Sequence, residues 1–453
     1  MNKDKIDFAN ALSVNIGHLE SINNTLPMLM LLIQPFHKKA DTELKAFLDT
    51  SVEKETNVDG DTIVMMKLED LPKYDGLQKN LAISGIANKV VPESLFVSMI
   101  SQYDAFLGRL LKAIFLSKPE LLNSSEKNLT FSQIMEIGGI EDARDFIMEK
   151  EIDAVIRDSH SEQFNYLEKK LGIQLRKDLT IWSDFIEITE RRNLFVHCDG
   201  YISRQYLQNC KSAGIDISKI SLGDRISVPH DYFIKTYKVL YELAVKLTHT
   251  VWRKLKINDL ENADAHLNNT CYGLIETKQF DLTDNLLHFA CGQKKHSNDA
   301  NKNVFVINRA LSKYLQDKKK EAKKLIDEKD WSASSDNFRL ASFALTENDE
   351  AVFALMRKIG NNNEVKKDEY KMWPLFYALR KKESFREVFK EIFKEDYTVC
   401  EKPLLPVQEF IKDFSKNKDL NKLKTHSRQQ PPKSKSKLTQ TADTSMPHSV
   451  QNK

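Results

Sequence analysis

Apolar residues recur at helical spacing along most of the chain, and this spacing constrains the fold more than any other feature. After Val91 the apolar positions follow one another three, four or seven residues apart, as at Leu95, Met99, Phe106, Leu110, Leu111 and Ile114. Such spacing places them on one face of an α-helix. Glycine and proline, which interrupt helices, number only 14 and 12 in 453 residues. The sequence therefore predicts an all-α fold.

Four long helices are predicted between residues 91 and 256, at residues 91–122, 141–173, 176–197 and 230–255. Pro92 is expected at the start of the first helix, because proline is favoured in the first turn. The loops between the four helices are modest in length. Long amphipathic helices with modest loops are typical of an antiparallel bundle. We therefore expect residues 91–256 to form an antiparallel helical bundle.

Helical hairpins in series are predicted from residue 257 to residue 415. Four pairs of amphipathic segments follow one another there, and the first pair is joined near Lys278. A series of hairpins is typical of a short α-solenoid, similar in type to tetratricopeptide arrays, although no repeat signature is present. A second helical bundle is the alternative.

The two ends of the chain differ from these central regions. Residues 1–90 are predicted to form an N-terminal helical extension, broken at Pro27, with a short strand within residues 61–71. Residues 416–453 are rich in Lys, Ser, Gln and Pro and poor in large apolar residues, so a disordered basic tail is expected. From Ile411 onward, ten basic residues stand against three acidic ones.

The bulk composition excludes several classes of protein. The net charge of +3 is too small to indicate a nucleic-acid clamp by itself. Five scattered cysteines without a C-x-x-C pair are typical of reduced thiols. The N-terminus lacks a signal-peptide core, and the most hydrophobic run, residues 26–36, is far shorter than the roughly 20 residues of a membrane span. A cytoplasmic protein without a membrane partner is expected. The sequence holds no phosphate-loop, dinucleotide or zinc-ligand motif, so no metal or cofactor is expected.

An Arg-Asn-x-x-x-His pattern, formed by Arg192, Asn193 and His197, stands out from this background. The helix that carries it is predicted to end near His197, because Asp199 and Gly200 form a turn signal. Asn193 and His197 are four residues apart and share a face, and Arg192 lies one step around the helix. We expect the three to reach one cleft. The alternative is structural, since Arg and His are ordinary residues at helix C-termini, where they complement the helix dipole.

The stretch RRNLFVHCDG resembles the R-x(4–6)-H motif of the HEPN superfamily, whose members are all-α bundles. Many of them are metal-independent endoribonucleases of toxin–antitoxin and anti-phage systems. The resemblance covers roughly residues 91–256. It implies that Arg192 binds the scissile phosphate, that His197 is a general acid or base, and that Asn193 orients the phosphate or the histidine. The nucleophile would be the 2′-hydroxyl of the RNA. The resemblance also implies a homodimer through the bundle, in which paired motifs line one cleft.

Three further residues are candidates for a supporting role. Asp104 is an acid on an otherwise apolar helix and is expected either to face the motif or to face solvent. Tyr201 is expected either to stack on a base or to pack after the turn. Glu190, with Arg191 beside it, is expected to pair with neighbours on the surface.

Two functions from different classes fit these observations. The first is an RNA-cleaving toxin or anti-phage effector, regulated by a protein or trigger that binds the C-terminal hairpins. The second is a non-catalytic HEPN-like dimerisation or interaction protein, whose helical-repeat region is the partner-binding surface. A plain helical scaffold with a chance motif is a third alternative.

Overall fold

The computed structural model describes residues 7–56, 62–124, 129–361 and 365–399, which belong to one compact unit, Met1–Glu401. The described helices and strands are α1 (Phe8–Ser51), β1 (Val52–Thr56), β2 (Thr62–Met66), α2 (Leu71–Ser117), α3 (Phe131–Ile137), α4 (Ile140–Arg157), α5 (His160–Leu171), α6 (Trp182–His197), α7 (Arg204–Ser212), α8 (His230–Leu255), α9 (Leu260–Glu276), α10 (Phe280–Cys291), α11 (Asp299–Leu315), α12 (Lys319–Asp327), α13 (Asp336–Leu345), α14 (Asp349–Ile359), α15 (Lys367–Met372) and α16 (Glu383–Phe393). The helical fold class is confirmed. In this part of the chain the only strands are β1 and β2, an antiparallel pair, and β2 lies where a strand was predicted.

The two longest helices, α1 and α2, form an antiparallel hairpin with the β1–β2 pair at its tip. They have 44 and 47 residues, so each is roughly 65–70 Å long at 1.5 Å per residue. Pro27 lies inside α1 and Pro92 inside α2, so the expected break at Pro27 and the expected start at Pro92 are both wrong. A proline removes one hydrogen bond of a helix. Leu26, next to Pro27, and Phe96, one helical turn after Pro92, are buried, and packing of an apolar face contributes most of a helix's stability in a folded protein. Helix α2 also runs across residue 90, where the sequence suggested a boundary.

Helix α8 is the centre of the molecule. It contacts α1, α2, α6, α9 and α10, and fifteen of its 26 residues are buried. A helix that is apolar on most sides is suited to such a position. Its bounds agree with the prediction. One continuous hydrophobic core extends from α1 through α8 to α16, so the bundle and the hairpins are packed on a common core.

The predicted helix over residues 141–173 is instead two helices, α4 and α5. The break follows Asp158, where Ser159 has an extended backbone and its Oγ accepts a hydrogen bond from the amide of Glu162 at 3.3 Å. That contact is an N-cap, which ends one helix and begins another. The next predicted helix also begins later than expected, at Trp182.

Three helical hairpins follow α8 as predicted: α9 with α10, α11 with α12, and α13 with α14. Each is closed by three residues, and the middle one has a positive φ: 60° at Lys278, 62° at Asp317 and 60° at Glu347. Helices α9, α11 and α13 contact one another in series, which is the arrangement of a solenoid. In the fourth predicted pair, 3-10 turns connect α15 to α16. The predicted tail, 416–453, lies outside the described residues.

Candidate active site

The motif lies at the C-terminal end of α6, where the chain turns sharply after His197. Asp199 and Gly200 have positive φ angles of 47° and 78°, and the amides of Cys198 and Gly200 both donate to the carbonyl of Leu194. A Cβ on residue 200 would lie 3.0 Å from the Phe195 ring and 3.2 Å from the carbonyl oxygen of Ile226. Glycine is therefore required at this turn, both for its φ and for its size.

The turn is fixed to α2 by Arg225. Its two terminal nitrogens donate to the two carboxylate oxygens of Glu93 at 3.0 and 3.1 Å, and Nη2 also lies 3.3 Å from Asp199 Oδ1. The Phe195 ring packs edge-on against Phe96 of α2, with 5.7 Å between centroids. These contacts give the motif a defined position on the bundle, and Arg225 was not anticipated from the sequence.

The two adjacent arginines of the motif differ in what they contact. Arg191 donates from Nε to Glu187 at 2.7 Å and from Nη1 to the carbonyl of Ser227 at 3.0 Å, and its guanidinium lies 3.8 Å from the centroid of the Tyr232 ring. Glu187 also accepts hydrogen bonds from the hydroxyls of Tyr206 and Tyr232. Arg191 thus belongs to a half-buried network that joins α6, α7 and α8, and the expected surface position is wrong.

Arg192 has fewer partners. Its side chain is 26% exposed. Nη1 donates to Asn193 Oδ1 at 3.2 Å, and Nη2 lies 3.9 Å from Asp104 Oδ2. Nε is buried and has no hydrogen-bond partner among the described residues. A guanidinium has five N–H donors, so Arg192 keeps unused donors beside a partly open surface.

Asp104 of α2 faces Arg192, and its strongest contact is with His160. His160 Nε2 lies 2.9 Å from Asp104 Oδ1. A carboxylate only accepts, so the proton of this hydrogen bond is on Nε2. His160 is the first residue of α5, and its ring lies edge-on to Phe185 of α6 at 5.3 Å. His160 was not anticipated from the sequence, because a single helix was predicted through this position. The pattern Ser159-x-x-Glu162, a helix-start signature, was the signal that would have marked it.

Glu190 lies beside this cluster and is half-buried, so it is not the surface residue that was expected. Burial raises the pKa of the Glu190 carboxyl, and a hydrogen bond with the side chain of Asn209 and the charge of nearby His160 partly oppose that rise. Asp104, His160, Glu190 and Arg192 are thus one polar cluster between α2, α5 and α6.

His197 lies apart from this cluster. Its side chain is exposed, and within the described part of the chain no hydrogen bond or ion pair joins it to Arg192 or Asn193. Residues five apart on a helix differ in direction by about 140°, which accounts for the separation from Arg192. Tyr201, whose backbone pairs with that of Arg225, is also exposed. Val196 and Cys198 complete an exposed surface around His197.

Among the described residues, no three His, Cys, Asp or Glu side chains are grouped as metal ligands would be. No helix of the same residues combines the length and apolar character needed to cross a membrane. Comparisons of the chain with protein-family models, with curated proteins and with solved structures found no match.

Proposed function

We propose that the chain is a metal-independent endoribonuclease of the HEPN type, in which Arg192 binds the scissile phosphate. The observation that carries the proposal is the difference between the two arginines. Arg191 donates two hydrogen bonds within the bundle and lies over the Tyr232 ring, whereas Arg192 donates one, to its neighbour Asn193, and its side chain is 26% exposed. A guanidinium matches the geometry of a phosphate and stabilises the charge that builds up on it during in-line attack.

His197 is the proposed proton-transfer group. Its exposed imidazole would act as general base on the 2′-hydroxyl or as general acid on the leaving 5′-oxygen. The 2′-hydroxyl attacks the phosphorus, the bond to the 5′-oxygen breaks, and the 5′ fragment ends in a cyclic phosphate. Asn193, which accepts a hydrogen bond from Arg192, orients that guanidinium.

A homodimer is part of the proposal, because Arg192 and His197 of one chain point in different directions. A two-fold axis beside the end of α6 would bring a second pair of these residues to the same cleft. Val196 and Tyr201, which are large, apolar and exposed next to His197, fit such an interface.

The proposed biological role is that of a toxin or anti-phage effector, controlled by a protein or trigger at the C-terminal hairpins. The stacked helices α9, α11 and α13 support a binding surface there. The second candidate is a non-catalytic interaction protein, and the ion pair between Arg192 and Asp104 favours it, since that pair also serves a purely structural arginine.

The decisive experiment compares the purified wild type with Arg192→Ala and His197→Ala on an end-labelled, unstructured RNA without added metal. Arg204→Ala and His230→Ala are matched controls, because both residues are exposed and, among the described residues, no hydrogen bond or ion pair joins either of them to the cluster. We expect wild type and controls to leave 2′,3′-cyclic phosphate ends. Both motif variants should be slower by about a hundredfold or more, as for loss of an acid–base group. Intact RNA with wild-type protein, in cells that hold its normal partners and trigger, would refute the nuclease.

The dimer is tested by mixing the two inactive variants. If a cleft takes Arg192 from one chain and His197 from the other, the mixture recovers part of the wild-type rate. Light scattering of the wild type should give twice the chain mass. A monomer at all concentrations that cut RNA would contradict the shared cleft.

A further inference from the structure

Asp104 lies between two side chains that can each bind its carboxylate, His160 and Arg192. We infer that His160 is a positioning residue, which holds the Asp104 carboxylate and thereby leaves the Arg192 guanidinium available to bind an RNA phosphate. The role in RNA binding rests on the proposed function. The claim that the Asp104 carboxylate binds His160 rather than Arg192 does not rest on it.

The distances show how the carboxylate is divided. His160 Nε2 lies 2.9 Å from Oδ1, which is the length of a strong hydrogen bond to a charged acceptor. Arg192 Nη2 lies 3.9 Å from Oδ2, which is too far for a hydrogen bond. Asp104 therefore attracts Arg192 without occupying its donors.

His160 is well fixed for this role. It follows the N-cap Ser159, so its backbone is set by the start of α5. Its ring packs beside the rings of Phe185 and Tyr103, at 5.3 and 6.2 Å between centroids, and its side chain is only 14% exposed. The imidazole has little room to turn away from Asp104.

Removing the imidazole would release the carboxylate toward Arg192. The freed Oδ1 would then compete for Nη2 and for the unused Nε, and an Arg–carboxylate pair with two hydrogen bonds is a stable arrangement. Such a pair would occupy Nη2, which is also a donor that a phosphate would use. Loss of His160 is therefore expected to weaken the binding of anions to Arg192, because Asp104 would then occupy its donors.

The test measures how fast Arg192 reacts with p-hydroxyphenylglyoxal in the full-length protein, by peptide mass mapping. The variants are His160→Leu, which fills the space but cannot donate, Asp104→Asn, and the double variant His160→Leu/Asp104→Asn. Exposed Arg204 and engaged Arg191 are internal references in every sample. Arg192 labelling in His160→Leu should fall by about fivefold, the factor that corresponds to an ion pair of roughly 1 kcal/mol. The double variant should regain the wild-type rate.

Two outcomes would overturn the inference. One is an unchanged Arg192 rate in His160→Leu. The other is a reduced rate that Asp104→Asn does not restore, because the loss would then come from a disturbed fold. Unchanged labelling of the two reference arginines and an unchanged far-UV spectrum show that the fold is intact.

RNA cleavage, measured on the same proteins, separates this inference from the proposed function. If the chain cuts RNA, His160→Leu should raise KM more than it lowers kcat, and the double variant should recover KM. If no protein cuts RNA even with its normal partners and trigger present, the nuclease proposal fails, while the labelling rates still decide whether His160 holds Asp104 away from Arg192.

Discussion

Asp264→Ala removes a buried carboxylate that ties the bundle to the hairpins. Asp264 lies on α9 and is 1% exposed. It accepts hydrogen bonds from Arg253 Nη2 of α8 at 2.6 Å and from His296 Nδ1 at 3.2 Å. The amide and the hydroxyl of Ser297, just before α11, donate to it at 2.7 and 3.0 Å. One side chain thus connects three parts of the chain.

The expected cost follows from what the substitution leaves behind. The Arg253 side chain is only 8% exposed, so its charge would remain buried without its partner. Breaking a buried ion pair by removing one member costs about 3–5 kcal/mol in the free energy of unfolding. Asp184→Ala is the matched control. Asp184 also pairs with a cation, Lys235, at 2.7 Å, but the two side chains are 41% and 49% exposed, and such solvent-accessible pairs contribute about 1 kcal/mol or less.

The free energy of unfolding is measured by urea denaturation, followed by far-UV circular dichroism. Asp264→Ala should lower it by several times as much as Asp184→Ala does. A double variant, Arg253→Met/Asp264→Leu, removes both charges and should recover part of the loss, since an apolar pair of similar volume replaces a buried ion pair well. Equal effects of the two single aspartate variants would refute the buried-pair reasoning. If the double variant is as unstable as Asp264→Ala, the loss of stability comes from packing and not from the unpaired charge of Arg253.

Two further predictions concern pH and the turn after α6. Burial alone would raise the pKa of Asp264, but hydrogen bonds from His296, Ser297 and Arg253 hold it well below its usual range. Its contribution to stability is therefore full above the unfolded value of about 3.9 and is lost as the pH falls through the lower folded value. Urea unfolding at falling pH should show a smaller loss in Asp264→Ala than in wild type, and equal losses would contradict the assignment. Gly200→Ala should destabilise the protein by about 1–2 kcal/mol through its positive φ alone, with a further cost from the Phe195 contact; an unchanged melting temperature would contradict the requirement for glycine.

Local sequence was sufficient where a helix is set by its own pattern and its own turn. Helix α8 has the predicted bounds, and the hairpin turn at Lys278 lies where it was expected. Local sequence was insufficient where packing between distant segments determines how far a helix continues. Pro27 and Pro92 suggested helix ends, yet the antiparallel packing of α1 on α2 keeps both helices continuous. The break at Ser159, by contrast, has a local signal that the predicted single helix ignored: residues 157–163 are all polar, and Ser159 caps the start of α5.

The candidate site likewise has one part that local sequence predicted and another that depends on packing between distant segments. The end of α6 at His197 follows from the turn signal of Asp199 and Gly200, which are local. The surroundings of Arg192 come from α2 and α5, because Asp104 and His160 meet only when those helices pack against α6. Spacing along one helix shows which residues are neighbours on that helix, and it contains no information on which of them a distant carboxylate will face.

The two arginines of the motif show why this matters for function. They are identical in chemistry and adjacent in sequence, but one step along a helix turns a side chain by about 100°. That step directs Arg191 to Glu187 and Tyr232, where it donates hydrogen bonds within the bundle, and Arg192 to Asp104, which lies 3.9 Å away and accepts no hydrogen bond from it. If Asp104 were bound fully to Arg192, both arginines would be structural, and the end of α6 would present His197 without a phosphate-binding partner. Under the proposed function, catalysis at this helix end would therefore depend on His160 as well as on the motif, because the Asp104 carboxylate lies 2.9 Å from His160 and 3.9 Å from Arg192.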